Sequence, residues 1–525
     1  MPDNRDPPAP GIGISLANGQ VWRFRPTDAG SADVIRRLAG VMRLSPTSTG
    51  TELFVTVREV KREERNLAQS SNPLISILPS GINAAMEAIQ MTDLAKVIAL
   101  ETLPTGGMLI HGALAERDGY GVILAASGGT GKTTASTRLP PPWRSHSDDA
   151  TLVVRDNSGN YIAHPWPTWS RFFDNGPGGS WEVERGVPLA AIFFLSQSQE
   201  DHAEPLNISD AVAFLMESVH QIMGPQARRT CIHDETESRC RMELVAAEAL
   251  ARGIPAYLLH ISLTGKFWEA IEGVIGQRAG APHQYGTARD THPAKSVHWT
   301  GKCKPLAEMF GAGHIPIVYS GPSMNPTLIA PDLLEVVPYS EGAPAVGDII
   351  CFTRPGNEMN IVHRITRING TSIQTRGDNN PIPDADLVHS DWILGRVVSA
   401  TRGDLRRRIA GGLHGQVIRS WLCIRKSALQ KISGLLCLAK PVLGITRASS
   451  RLLPGSWKPR IVLFSSRNTS TMKLFFRTAV IGEFTTTRGV WTIRFPFRLL
   501  VNETALPTLE RPEPARTTRS VPIRQ

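Results

Sequence analysis

The sequence predicts a multidomain protein: an α/β domain, a mostly-β domain after it, then a basic helical segment and a short β tail. Three observations lead there. The chain has 525 residues, too many for one compact hydrophobic core, so it should divide into two or three domains. Strand and helix patterns alternate from about residue 10 to 275, then give way between 313 and 400 to short strands separated by Pro, Gly, Asn and Asp. Positive charge is then concentrated in one place. Between Arg402 and Arg460 stand nine Arg and four Lys against one acid, Asp404, a local balance of +12 in a chain whose total is +10.

Taken in order, "GQVWRFRP" reads as a strand, "ADVIRRLAGVMRL" as an amphipathic helix and "ELFVTVREV" as a second strand. "GGMLIHGALAERDGYGVILAAS" predicts two strands around a polar turn, the second running into "GGTGKTT". "LAAIFFLSQ" at 189–197 is a buried strand, helices are expected at 208–223 and 239–252, and "AYLLHISL" is another strand. These make a first domain over 10–275. Residues 276–312 read as a linker, polar with scattered Gly, Pro and His through 300. The β domain over 313–400 contains "IPIVYSG", "LLEVVP", "DIICFTR", "NIVHRITRI", "SIQTRGD" and "WILGRVVSA". Residues 401–459 form the basic segment, expected to be helical in pieces; 460–504 return to strand patterns; 505–525, rich in Pro, Arg and Thr, are expected to be disordered.

The six cysteines form no CxxC pair and no zinc-spaced second pair. That argues for a reducing compartment and for no structural metal. "MPDNRDPPAPG" lacks the basic-then-apolar order of a signal peptide, and no run of 18 apolar residues occurs. The expectation is a cytoplasmic protein without a transmembrane helix. Residues 402–460 would supply any peripheral contact with anionic lipid. No nucleic-acid-binding module accompanies the charge, so no nucleic-acid partner is expected.

Two constellations carry chemistry. "ASGGTGKT" at 126–133 follows a strand and precedes a helix pattern, as a phosphate cradle requires, with Ala126 in place of the first glycine. Gly128, Gly129 and Gly131 let successive N–H groups turn toward phosphate oxygens. Lys132 would reach the terminal phosphates, and the Thr133 hydroxyl, next to Thr134, would sit on Mg2+. Downstream, Asp148 and Asp149 in "SDDATLV" offer one carboxylate for the metal and one for a proton. This pair of motifs resembles the HPr kinase/phosphorylase family of P-loop proteins. The longer pattern through "RLPPPWRSHSDDATLVVRD" and "HPWPTWSRF" is closer still to the SynChlorMet cassette protein ScmC family, HPr-kinase-like proteins associated with peptide-modification cassettes. The resemblance spans about 10–275 and implies an ATP and Mg2+ site. Arg171 in the last motif could pair with a phosphate.

The second constellation begins at Ser323 in "GPSMNPTL". A serine hydroxyl needs a general base within hydrogen-bond reach to act as a nucleophile, and His363 in "NIVHRI" is the conspicuous candidate in the β region. The ordered boxes "GPSMNPTL", "GDIICF", "IVHRI" and "TRGDNNPIPDAD" resemble the type I signal peptidase family (peptidase family S26, within the S24/S26 superfamily that includes LexA-like domains). His363 before Arg364 places them in its His-type branch. The resemblance implies Ser323 as nucleophile, His363 as base and an orienting acid, Asp384 ahead of Asp378. It also implies a peptide or protein substrate with small residues before the cut. Where many members carry a Ser two positions before the nucleophile, this chain has Gly321, so the oxyanion would depend on backbone N–H groups. Together the constellations predict a signal-peptidase-type serine endopeptidase fused to an ATP-binding domain. The alternative is a P-loop kinase, or a nucleotide-dependent scaffold, whose β domain is a docking module.

Overall fold

The computed structural model describes residues 11–58, 74–81, 83–126, 131–173, 176–223, 233–262, 264–279, 305–339, 342–354, 357–439, 460–466, 469–476, 479–485, 490–493, 497, 501 and 506–507. The chain is multidomain and separates into two compact units, one formed by residues up to 197 with 201–419, the other by 198–200 with the chain from 420.

The first unit starts with a small mixed sheet of β1 (Gly11–Ser15), β2 (Val21–Pro26), β3 (Pro46–Thr47), β4 (Thr51–Arg58) and β5 (Leu74–Pro79), in the order β3-β1-β2-β4-β5. Helix α1 (Ala29–Met42) crosses it. Asp28 caps α1 by accepting from the Ser31 N–H at 2.8 Å, and the Ser31 hydroxyl accepts from the Asp28 N–H at 3.1 Å. Val34, Ile35, Leu38 and Met42 make its buried face.

Next come α2 (Ala84–Glu101), β6 (Met108–Ile110), β7 (Gly112–Arg117), β8 (Tyr120–Ala125), α3 (Lys132–Arg138), β9 (Arg144–Ser147), β10 (Ala150–Arg155), β11 (Tyr161–Trp166), β12 (Val187–Gln197), β13 (His202–Pro205), α4 (Ile208–Met223), α5 (His233–Gly253), β14 (Ala256–Ile261) and α6 (Phe267–Ala279). Their nine strands form one sheet whose centre is parallel: β12 lies between β8 and β14. Val122–Ala125 and Ile192–Phe194 are buried, the continuous apolar runs that a parallel strand covered on both faces requires. The two strands expected over 106–127 are three. The chain breaks at His111, whose N–H donates to Ser218 Oγ at 2.9 Å; before it β6 joins β10, and after it β7 joins β8 and β9. Asp118 and Gly119, both at positive φ, make the two-residue turn between β7 and β8.

The β region is an antiparallel sheet of β15 (Ile315–Tyr319), β16 (Asp332–Val337), β17 (Ile349–Arg354), β18 (Asn357–Asn369), β19 (Ser372–Arg376), β20 (Val388–His389), β21 (Ile393–Arg402) and β22 (Leu405–Arg408). The order is β15-β16-β21-β17-β18-β19-β20, with β22 paired to β21. Ile317, Met324, Leu334, Val336, Ile349, Cys351 and Val397 pack one core beneath it. Residues 280–304 of the expected linker lie outside the described residues, while Leu306 and Phe310 are buried. Arg241 on α5 donates to the carbonyls of Ala307, Gly311 and His314 at 3.3, 2.7 and 3.4 Å.

The basic segment, expected to be helical in pieces, has one continuous helix, α7 (Gly412–Ala439), after the β22 strand; 440–459 lie outside the described residues. In the second unit β23 (Arg460–Ser466), β24 (Thr469–Phe476), β25 (Ala479–Thr485) and β26 (Trp491–Ile493) form an antiparallel meander over Leu474 and Ile481. Apart from Leu506 and Pro507, the tail expected to be disordered lies outside the described residues. Among the described residues no helix is long and apolar enough to cross a membrane.

Candidate active site

Ser323 lies in the connection between β15 and β16. Gly321, at φ +109 with open space where a Cβ would stand, turns the chain. The Asn325 N–H donates to the Pro322 carbonyl at 3.2 Å and the Leu328 N–H to the Met324 carbonyl at 3.1 Å. Met324 and Leu328 are wholly buried and pin the turn to the core. Tyr319, the last residue of β15, reaches over the same turn. Its hydroxyl accepts from the Met324 N–H at 2.8 Å and lies 3.3 Å from Ser323 Oγ. Burial raises the phenol above its ordinary value, and the charges of Asp332 and Asp378 add to that against the two hydrogen bonds, so it holds its proton.

His363 sits in the middle of β18, opposite Ile350 of β17. Its Nε2 is 3.0 Å from Ser323 Oγ and its Nδ1 is 2.6 Å from Asp384 Oδ2. A carboxylate only accepts, so Nδ1 carries the proton and Nε2 offers its lone pair to the serine hydroxyl. Asp384 is held in turn: the Thr375 hydroxyl donates to Oδ2 at 2.6 Å, and the Asp384 N–H donates to the Thr375 carbonyl at 2.9 Å. Burial pushes this carboxyl up. The hydrogen bonds from His363 and Thr375, with the charges of His363 and Arg354, outweigh it and hold the group below the usual carboxylate range.

Asp378, the other acid expected near the base, is engaged elsewhere. It accepts two bonds from Arg364, at 2.9 and 2.7 Å, and one from Thr327 at 2.5 Å. Both side chains of the Arg364–Asp378 pair are 1% exposed. Beside it the chain passes very close to the nucleophile turn. A Cβ on Gly377 would stand 2.6 Å from the Ser323 carbonyl oxygen, and the Asn379 N–H donates to that oxygen at 2.7 Å. Asp378 therefore buttresses the site, while Asp384 touches the imidazole.

The amides of the turn decide what could meet an oxyanion. Pro322 has no N–H, and the Met324 and Asn325 N–H groups are engaged. Among the described residues the Ser323 N–H has no acceptor, leaving it as the donor beside Oγ.

In the α/β part, Ser127, Gly128, Gly129 and Thr130 lie outside the described residues. Gly131, at φ +107, precedes α3, whose first residues are Lys132, Thr133 and Thr134. Lys132 is 6% exposed; its Nζ donates to the Ala126 carbonyl at 2.8 Å and lies 4.0 Å from Asp149 Oδ1. Burial pushes the ammonium below its ordinary value, with Asp149 opposing. Asp149 also meets His111 Nε2 at 2.8 Å. Burial raises its carboxyl, but His111 and Lys132 together bring it below the usual range. Asp148 is occupied by the Thr168 hydroxyl at 2.5 Å and Arg171 at 2.6 Å, so of the paired acids it is Asp149 that stands beside Lys132. Arg171 is committed to Asp148, not held ready for a phosphate. The buried ammonium, the Thr133 position and Asp149 are a donor set that fits a phosphate with a divalent cation.

Residues 74–276 match the family model of the SynChlorMet cassette protein ScmC. That stretch includes Lys132, Asp149 and the parallel centre of the second sheet; the Ser323 region lies beyond it. No curated protein matches the chain.

Sequence reasoning missed Tyr319, Thr375 and His111. For Tyr319 a signal existed: a tyrosine closing a buried strand must find a partner for its hydroxyl. Thr375 and His111 carry no such mark.

Proposed function

We propose that this chain is a serine endopeptidase of the signal peptidase I type, working through Ser323, His363 and Asp384. The observation that carries the reading is the unbroken relay of 3.0 Å from Ser323 to His363 and 2.6 Å from His363 to Asp384. Ser323 Oγ attacks the scissile carbonyl carbon as its proton passes to His363 Nε2. The carbonyl oxygen becomes an oxyanion facing the Ser323 N–H. The C–N bond breaks, the amine leaves with the proton from Nε2, and an ester remains on Oγ. Water then gives a proton to Nε2, attacks the ester, and Oγ departs reclaiming that proton. Asp384 holds the tautomer and balances the imidazolium without taking a proton.

The substrate would be a leader or signal peptide with small residues before the cut, processed in a peptide-maturation pathway. The ScmC family match over 74–276 supports a cassette role. In that region Lys132, Thr133, Thr134 and Asp149 would hold ATP with Mg2+, which would supply a transferable phosphoryl group; Lys132 would bind it and Asp149 would orient the metal. The Lys132–Asp149 separation of 4.0 Å favours this second site. It leaves open as the alternative reading a P-loop kinase or nucleotide-dependent scaffold with a docking β domain.

Co-expression with candidate leader peptides that carry small residues before the cut, read by mass spectrometry, tests the reading. Cleavage should vanish in Ser323→Ala. Cleavage that survives Ser323→Ala removes the peptidase assignment. Absence of ATP binding in isothermal titration removes the second site.

A further inference from the structure

A cluster of metal-ligating side chains lies outside both sites, on the antiparallel pairing of β13 with β14. His202 is directly opposite His260 in this antiparallel pair, and Glu204, two residues along β13, shares the face of His202. The imidazoles lie face to face, with centroids 4.2 Å apart and 7° between planes. Glu204 bridges them: Oε1 is 3.1 Å from His202 Nε2 and Oε2 is 3.7 Å from His260 Nε2. One ligand atom from each residue falls within 4.8 Å of the others. His260 Nε2 is buried and, among the described residues, has no partner within hydrogen-bond distance, Glu204 Oε2 standing off at 3.7 Å. A buried ring nitrogen aimed at a carboxylate it does not reach is an unmet requirement, since buried polar atoms are ordinarily satisfied.

We propose that His202, Glu204 and His260 bind a first-row divalent cation, zinc by ligand type. Two imidazole nitrogens and one carboxylate are a zinc donor set, with bonds of about 2.0–2.2 Å to nitrogen and oxygen. Three ligands in that geometry stand about 3.4 Å apart, so the present spacing needs only a small closure. Parallel rings cannot both aim at one ion, so one imidazole must rotate about its Cβ–Cγ bond. His202, with its side chain 42% exposed, has the room. The ion would cross-link β13, which among the described residues pairs with β14 alone, to the parallel centre of the sheet. The remaining positions face outward and would take water. The site uses no cysteine and is independent of the peptidase and nucleotide readings.

The test is titration of zinc chloride into the full-length, chelator-treated protein, followed by calorimetry. His363 with Asp384 and His111 with Asp149 also offer nitrogen and oxygen, so the comparison is between variants. The wild type should take up one more equivalent than His202→Ala/His260→Ala, and Glu204→Gln should weaken that equivalent by tenfold or more. Glu204 is mostly exposed, so its replacement by glutamine keeps the test valid if the double variant fails to fold. Zinc uptake of equal stoichiometry and affinity in the wild type and in Glu204→Gln overturns the proposal, as does a wild type that takes up none.

Discussion

His363 Nδ1 meets Asp384 Oδ2 at 2.6 Å, across a turn that also carries Asp378 six residues earlier in the chain. The two acids have separate work, and that division can be measured. In Asp384→Asn the side chain has no charge to balance the imidazolium, and its NH2 can donate to Nδ1, which favours the tautomer in which Nε2 no longer accepts from Ser323. The expected loss in kcat is about 10^4-fold, with a fall in the urea midpoint at pH 7 much smaller than that expected for Asp378→Asn. A loss under tenfold contradicts the role.

Asp378→Asn should do the reverse. Arg364 would keep a buried charge with half its partner gone, and breaking such a pair costs about 3–5 kcal/mol. The urea midpoint of the unit should fall accordingly. Replacing both members, Arg364→Met with Asp378→Leu, should recover most of the loss, because it removes the unpaired charge as well as the pair. Equal midpoints for wild type and Asp378→Asn would show that the pair is not structural.

Acid adds a second handle on Asp384. Its folded-state carboxyl is lowered, whereas the unfolded chain titrates near about 3.9. The folded state therefore takes up this proton less readily. The contribution to stability is present above about pH 4 and is lost as pH falls through the lowered native value. The stability difference between wild type and Asp384→Asn, from urea melts between pH 7 and pH 3, should close on the acid side. A difference that persists unchanged at pH 3 contradicts the lowered value.

Tyr319→Phe removes the acceptor of the Met324 N–H and the hydroxyl nearest Ser323 Oγ. An unpaired buried N–H costs about 1–3 kcal/mol, and it would loosen the turn that presents the nucleophile. The expectation is about a tenfold fall in kcat with KM nearly unchanged. An unaltered kcat would make Tyr319 a packing residue only.

In the second unit, which takes the chain from 420, helix α7 carries Trp421 and Ile424 on one face, 57% and 68% exposed. With Arg425 stacked on Trp421 at 5.4 Å, we predict that this face enters an anionic bilayer surface, where each basic residue adds about 1 kcal/mol. The full chain should float with vesicles containing anionic lipid, and Trp421→Glu/Ile424→Glu should not. Equal flotation of the two rules out this face as the membrane contact.

The strands of the β region were legible because their period of two is clean and their turns carry Pro, Gly, Asn and Asp. The approach of Ser323 to His363 was legible as an ordered set of motifs 40 residues apart. What could not be read was which acid turns toward the imidazole. That depends on Thr375 holding Asp384 and on Gly377 letting the Asp378 loop close against Ser323, contacts that leave no periodic trace. Helix α2 was missed because its apolar residues run nearly all round it, so it shows no one-sided stripe. The break at His111 was hidden by apolar residues on both sides. His202 and His260 are far apart in sequence, and only the pairing of β13 with β14 brings them together.

The central claim is that Ser323 is acylated and His363 drives the exchange. Its most direct test is hydrolysis of a peptide library bearing small residues before the cut, with products and any covalent adduct read by mass spectrometry. Wild type should cleave, and should carry an acyl mass on Ser323 when quenched in acid. Ser323→Ala should carry none and lose about 10^4-fold or more in kcat/KM. Cleavage by Ser323→Ala at the wild-type rate would contradict the account.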